Sequence, residues 1–317
     1  FYENMWNLGK EKYRGSQYLI PRSNDRVVAH YNKEIFRQAK VDMSLVHNGW
    51  TWEEFIEVMT TVRNFFDANG RNNDYLLDSY MNWEAVMSSV FASFDAKIFE
   101  DKTLVADNQN TRDALALMRQ LVDLRIIAPM NSQASANFEG GQGAMLFHSA
   151  PASKYQKLLK DDYDLVTFPL IGREKAGQSE KDYSNAKIGA GVPGYAIFNE
   201  TENVSLAWKF LSFMLTPEGQ NALAVGGSTC LPIRKDMSDP RKNTWGSDLG
   251  DINLSAYYWE IERNTATDFY LDWDSRYHAD LLSALSDMVY SHLSTPGLSA
   301  SNSIAKFTED CEDILGL

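Results

Sequence analysis

The chain has 317 residues, enough at about 100–200 residues per domain for two domains with sizeable cores, and 44% hydrophobic with 12% aromatic residues excludes a disordered chain. Thirty Lys and Arg against 43 Asp and Glu give a net charge of −13, which repels a phosphate backbone and argues against a nucleic-acid partner. No run approaches the ~18 apolar residues of a membrane span, and Cys230 and Cys311 are too few for a disulfide framework.

In chain order, short apolar runs read as buried strands at Gln17 to Ile20, Val27 to Tyr31, Ala144 to Phe147, Leu165 to Phe168 and Tyr195 to Phe198. Helices alternate with them. The clearest opens at Thr51-Trp52-Glu53-Glu54, a capping box, places Phe55, Val58, Met59, Val62, Phe65 and Phe66 on one face, and stops near Asn69-Gly70. A second starts around Asn110, with Leu115, Met118, Leu121 and Val122 as its stripe, and ends before Pro129. A third runs from about Asn203 with Leu206, Phe210, Leu211 and Met214 inward. Thr216 and Pro217 then start another, as N-cap and first-turn residue. Two more occupy Asp274 to Leu293 and Ser301 to Leu315. Strands interleaved with helices predict an α/β fold.

Most searches for chemistry come back empty. The five histidines make no H-x-x-x-H pair, and no G-x-S-x-G elbow or phosphate-binding G-x-x-x-x-G-K loop occurs. Gly189-Ala190-Gly191-Val192-Pro193-Gly194 fits G-x-G-x-x-G, yet a polar loop precedes it and a strand follows. Pro193 also removes an N–H that a phosphate cradle would use, so the segment reads as a tight backbone crossing. Carboxylates are plentiful, but a hydrolytic pair needs a spacing that sequence does not give. The aromatics are the informative surplus. Trp6, Tyr80, Trp83, Trp245, Tyr257, Tyr258, Trp259, Tyr270, Trp273 and Tyr277 stand in polar or helix-start contexts. A ring with a flat apolar face and a polar edge suits the mixed surface of a sugar, and it suits packing between lobes equally well.

Four segments, in order, resemble the extracellular solute-binding proteins of ABC importers, of the sugar- and oligosaccharide-binding type. They are Gly15 to Pro21 with Val28 to Phe36, Trp50-Thr51-Trp52-Glu53-Glu54-Phe55, Phe138 to Phe147, and Gly194 to Phe198 with Ala207-Trp208-Lys209-Phe210-Leu211 and Thr216 to Gln220. The resemblance implies an α/β periplasmic-binding-protein-like fold of two lobes around a cleft. Residues 1–23 and 190–228 would form the first lobe, and residues 24–189 and 229–317 the second. It also implies about a hundred further residues ahead of the segment matching Gly15, and hence an incomplete first lobe here.

By the same resemblance the chain would bind a sugar reversibly, without catalysis, cofactor or metal, and deliver it as a monomer to membrane permease subunits from an extracytoplasmic position. A glycan-acting enzyme and a carbohydrate sensor or adhesion module are the alternatives. Residue by residue, Asp25 matches an acidic ligand contact, with Arg22, Ser23 and Asn24 on the same crossing and Gly191 on the returning one. Trp83 and Tyr80 match a helix start whose aromatic stacks on sugar. His148 and Ser149 match the polar positions after the Ala144-Met145 strand, although Pro151 stands where a further aromatic is usual. Trp273, Arg276 and Tyr277 occupy the second stacking position near the C-terminus.

Overall fold

The computed structural model describes residues 1–7, 12–13, 16–174, 181–182, 186–191, 193–224, 231–239, 243–266 and 273–317. Helix α1 (Glu3–Trp6) precedes four two-residue strands, β1 (Lys12–Tyr13), β2 (Ser16–Gln17), β3 (Ile20–Pro21) and β4 (Asp25–Arg26), and the first full strand, β5 (Val28–Asn32). Asn32 ends that strand and caps α2 (Lys33–Ala39) by accepting the N–H groups of Glu34 and Ile35. The capping box predicted for α3 (Trp52–Ala68) is present in both directions, Thr51 with Glu54. Its stripe is buried apart from Phe65, which is half-buried.

Helix α4 (Glu84–Ser93), the hairpin β6 (Phe99–Glu100) and β7 (Thr103–Leu104), and α5 (Gln109–Asp123) follow. Next come β8 (Met145–His148), α6 (Ala152–Leu159), β9 (Tyr163–Thr167), the hairpin β10 (Arg173–Glu174) and β11 (Lys181–Asp182), and β12 (Ile188–Gly191). The chain continues through β13 (Gly194–Tyr195), α7 (Val204–Met214), α8 (Pro217–Ala224) and β14 (Asn264–Ala266) to α9 (His278–Ser294) and α10 (Ala300–Leu315).

Two three-stranded sheets organise these elements. In one, β5 lies between β8 and β9 and is antiparallel to both, with Val28 opposite His148 on one side and Thr167 on the other. The segment around Leu77 runs along the outer edge of β8, where Leu77 bridges Met145 and Ser79 Oγ accepts the N–H of Phe147 at 2.8 Å. In the second sheet β12 is antiparallel to β4 and parallel to β14, so residues near 26, 190 and 265 meet side by side.

The main core gathers Phe55, Phe66, Phe91, Leu115, Phe147 and Phe307 from α3, α4, α5, β8 and α10. A second cluster holds Tyr155, Tyr163, Trp245 and Tyr257, and a small third one Met5, Ala190, Ile233 and Ile261. Among the described residues no helix is long and apolar enough to cross a membrane.

Two sequence expectations need correction. Helix α7 buries Leu211 and Met214, but Leu206 and Phe210 are 66% and 57% exposed and Trp208 is 56% exposed. Apolar periodicity shows which residues seek cover, whereas cover itself depends on what packs there, and among the described residues nothing does. The strand expected over Tyr195 to Phe198 pairs only at Tyr195, opposite Ile20, and Phe198 is exposed. Of the aromatic surplus, Trp245 and Tyr257 are core residues and Trp259 packs against the main core and Gly49. Tyr270 lies outside the described residues, as does Cys230, while Cys311 is buried in the main core.

Candidate functional site

The glycine-rich segment is the close crossing that its sequence predicts. A Cβ on Gly189 would lie 2.3 Å from Ser89 Oγ, and one on Gly194 2.5 Å from Leu19 Cγ. The first of these contacts presses α4 flat against β12 in an antiparallel sense, since Lys187 N–H donates to Ala92 O at 2.9 Å while Gly189 faces Ser89. The N-terminus of α4, at Trp83, therefore points toward the Gly191 end of β12. Gly191 pairs with Asp25, and a Cβ there would sit 3.2 Å from that residue's Cβ.

The same end of the structure receives the end of β8. Val28, three residues beyond Asp25, lies opposite His148, and the His148 ring lies 4.8 Å from the Trp83 ring at 31°. Tyr80 belongs to the turn closed by Trp83 N–H to Tyr80 O at 3.0 Å and is 72% exposed; Trp83 is 37% exposed. Four remote stretches of chain thus supply two pairs at neighbouring element ends, Asp25 with Gly191 and His148 with Trp83, and Tyr80 precedes Trp83 in its turn. Ser149, half-buried, follows His148 at the same strand end.

Each polar group there has a defined state. Burial pushes the Asp25 carboxyl above the usual carboxylate range, opposed by the hydroxyl of Ser23, which donates to it, and by the Arg22 guanidinium. Arg22 is half-buried, its backbone N–H donates to Pro193 O at 2.9 Å, and its Nε is buried without a hydrogen-bond partner among the described residues. His148 Nδ1 accepts the Ala150 N–H at 2.7 Å, so in the neutral ring the proton sits on Nε2, which becomes a donor. Burial, and secondarily the charge of Lys154, holds that ring below the usual histidine range and so neutral.

Behind it stands His30, fully buried. Its Nε2 faces His148 O at 3.2 Å and must donate there, which leaves Nδ1 to accept the Tyr163 hydroxyl at 2.6 Å. At the head of α4 the N-cap residue Trp83 supplies no side-chain cap, so first-turn N–H groups face the same place with the positive end of the helix dipole behind them.

Other predicted residues are placed differently. Asn24 is wholly buried, donating to Tyr257 O at 2.7 Å and accepting from Asn264 Nδ2 at 3.2 Å, so its amide fastens the crossing. Trp273 packs edge-on against Phe99 with ring centroids 6.0 Å apart. Phe99 follows the C-terminal end of α4 in the chain, whereas Trp83 stands at its start. Arg276 is exposed and lies over the Tyr277 ring at 4.7 Å, and His278 Nε2 donates to Trp273 O at 2.8 Å. These three form a group of their own. Sequence reasoning missed His30 and Ser79, whose hydrogen bonds hold the His148 end of β8; each sits in an ordinary strand pattern with no local signal of that task.

Residues 4–248 match a family model described as bacterial extracellular solute-binding protein. Among solved structures the chain is similar to an ABC substrate-binding protein of Listeria monocytogenes in complex with cycloalternan, with TM-score 0.70 and 16% identity, covering 100% of this chain and 76% of that one. It is similar to the cyclic α-maltosyl-1,6-maltose binding protein of Arthrobacter globiformis, with TM-score 0.72 and 16% identity over 99% and 77% of the two chains. It is also similar to an ABC transporter solute-binding protein of Thermotoga lettingae bound with α-D-tagatose, with TM-score 0.72 and 16% identity over 99% and 76%. At these identities the likeness establishes a periplasmic-binding-protein-like fold. No curated protein sequence matches the chain.

Proposed function

Since the chain belongs to the bacterial extracellular solute-binding proteins, we propose that it binds a sugar or oligosaccharide reversibly and hands it unchanged to the permease of an ABC importer. The observation that carries this reading is the Trp83 ring, partly exposed and packed on the His148 ring at the end of β8, with the Asp25–Gly191 pair three residues from the strand position opposite His148. His148 and Gly191 close β8 and β12, and outside such carboxyl ends is where open α/β sheets take their ligands; Asp25 opens the antiparallel β4 beside Gly191. Three of the structurally similar proteins are described as bound to, or named for binding, carbohydrates, which supports the same ligand class.

The chemistry follows from the state of each group. A buried carboxylate is costly unless donors satisfy it, so a ligand hydroxyl donating to Asp25 replaces hydrogen bonds that burial has removed. His148 Nε2–H offers the complementary donor to a ring or hydroxyl oxygen. Trp83 presents its exposed face to the C–H side of the sugar, braced from behind by the His148 ring. Gly191 lets the backbone approach where a side chain would intrude. Arg22 and Ser23 hold the Asp25 carboxyl in place, and Ser149 adds a hydroxyl at the rim.

In this reading residues 1–23 and 190–228 belong to one lobe and residues 24–189 and 229–317 to the other. Ligand draws the two together only by its difference in affinity between open and closed forms. The protein acts outside the cytoplasm, and no bond of the ligand is made or broken.

Titration calorimetry against a panel of mono- and oligosaccharides tests the proposal, with chromatography of the recovered ligand. The expected result is saturable binding of at least one sugar that is recovered intact. Failure of every saccharide to bind, or release of shortened products, overturns it.

A further inference from the structure

His148 ends β8 with its main chain and its ring fastened from different sides. Its carbonyl accepts from His30 Nε2 at 3.2 Å, and the residue pairs with Val28 in the sheet. Its Nδ1 accepts the Ala150 N–H at 2.7 Å, while its ring lies 4.8 Å from the Trp83 ring. Ala150 is itself held. Its carbonyl accepts the Tyr257 hydroxyl at 2.9 Å, and Pro151, which follows it and heads α6, keeps it out of helical backbone.

An imidazolium has no acceptor. A proton on Nδ1 sets one N–H against another, and with the main chain fixed at both residues the side chain is the part free to turn. Turning takes the ring off Trp83 and aims Nε2 away from the ligand oxygen that accepts from it. Resting on the sugar-binding reading above, we propose that the site releases its ligand in acid: it holds the saccharide while His148 is neutral and lets it go when Nδ1 takes up a proton.

The groups that face the ring set where this happens. Burial and Lys154 of α6 oppose the charge and Glu139 favours it, with Lys154 and Glu139 paired at 2.6 Å. Tyr155 of α6 meets the ring edge-on at 6.4 Å and keeps its hydroxyl proton, because burial raises its pKa. His30 of β5 stays neutral until far stronger acid, at about 3. On α4, Trp83 is uncharged and the acidic Glu84 follows it. Asp78, beside β8, accepts the Phe138 N–H at 2.7 Å. Asp25 belongs to the other sheet, and burial raises its carboxyl above the ordinary 3.8, so its own protonation also weakens binding in acid and has to be separated from that of His148. A saccharide that prefers the neutral ring lowers the His148 pKa when it binds. Affinity is then complete above the pKa of the free protein, itself below the ordinary 6.5, and falls as the pH drops through it.

Two measurements test this. NMR of the parent follows the His148 ring and the Ala150 amide on acidification, over the range in which circular dichroism shows the fold intact. Without ligand, the Ala150 amide proton is expected to move upfield with the same midpoint as the ring, as its hydrogen bond opens. Saturation with the best saccharide of the panel above should lower that midpoint by about one pH unit or more, which by linkage is a limiting loss of about tenfold or more in affinity. Calorimetry at about pH 7.5 and at one unit below the ligand-free midpoint then compares the parent with His148→Asn, whose Oδ1 accepts the Ala150 N–H but does not titrate. The parent should weaken about fivefold or more between the two conditions. The variant, whatever its starting affinity, should weaken less, and what remains belongs to Asp25. A midpoint that the saccharide leaves unchanged or raises overturns the acid release while leaving sugar binding intact. So does an Ala150 amide that does not follow the ring, a ring that stays neutral wherever the fold survives, or an equal loss in parent and variant. Failure of the parent to bind any saccharide at about pH 7.5 overturns the underlying reading, and the acid release with it.

Discussion

His30 makes the stability of this protein acid-sensitive in a way that can be isolated. The ring is fully buried between Tyr163 and the carbonyl of His148, and burial, followed by repulsion from His148, holds its pKa down to about 3 from an ordinary 6.5. Between these two values the unfolded chain binds a proton on this residue that the folded one does not, so stability falls as pH falls. The slope from one such group is about 1.4 kcal/mol per pH unit, and lowering the pH from 6.5 to 5 costs about 2 kcal/mol through this ring alone. His148 and His292 are shifted in the same direction by burial and add to the slope.

The perturbation that separates His30 from them is His30→Gln, whose amide can still donate to His148 O but does not titrate. Urea unfolding at pH 7.5, 6.5, 5.5 and 4.5 should show the variant less stable at pH 7.5 by about 1–3 kcal/mol, for a hydrogen bond lost to Tyr163. It should then lose stability on acidification more slowly than the parent, by about 1.4 kcal/mol per unit between pH 6.5 and 4.5. Parallel acid profiles for the two proteins would refute the reasoning.

Three further outcomes are expected. Trp83→Ala should weaken the best saccharide at least about tenfold in calorimetry while moving the melting temperature little, because the ring is partly exposed; an unchanged affinity removes Trp83 from the site. Gly189→Ala should cost about 1–3 kcal/mol, because the new Cβ meets Ser89 Oγ. Combining it with Ser89→Ala should recover most of that loss, and additive losses in the double-mutant cycle contradict the crossing as described. Light scattering should show concentration-dependent association driven by the apolar face of α7, suppressed by Trp208→Lys with Phe210→Lys at unchanged far-ultraviolet circular dichroism; scattering equal for both proteins rules that face out.

What could be read from the residues alone was local in its physics. The Thr51 and Glu54 cap, Thr216 with Pro217 at the head of α8, and β5 and β9 all carry their instructions within a few positions. Helix α4 was illegible by periodicity, because Val86, Met87, Ser88, Ser89, Val90 and Phe91 are buried in succession and leave no polar face to mark a stripe. Its first residue is announced by Trp83, which is not a capping type.

The site was half legible for a related reason. Asp25, Trp83 and His148 stand at strand and helix ends; the structure sets the His148 ring against Trp83 and pairs Asp25 with Gly191. Asn24, one position from Asp25, turns the opposite way into Tyr257 and Asn264, since successive residues of an extended chain alternate sides. Trp273 could be recognised as an aromatic of the right neighbourhood, but only the position of Phe99 decides which wall it joins.

The small sheet of β4, β12 and β14 laces positions 25–26, 188–191 and 264–266 into one seam, locked by the buried Arg26 guanidinium, which donates to the carbonyls of Ala256 and Trp259. A protease that severs the exposed turn at Asn199 and Glu200 would therefore part the polypeptide without parting the particle. Each half keeps strands knitted into the other, and the two pieces should travel together on a native gel and separate only in denaturant.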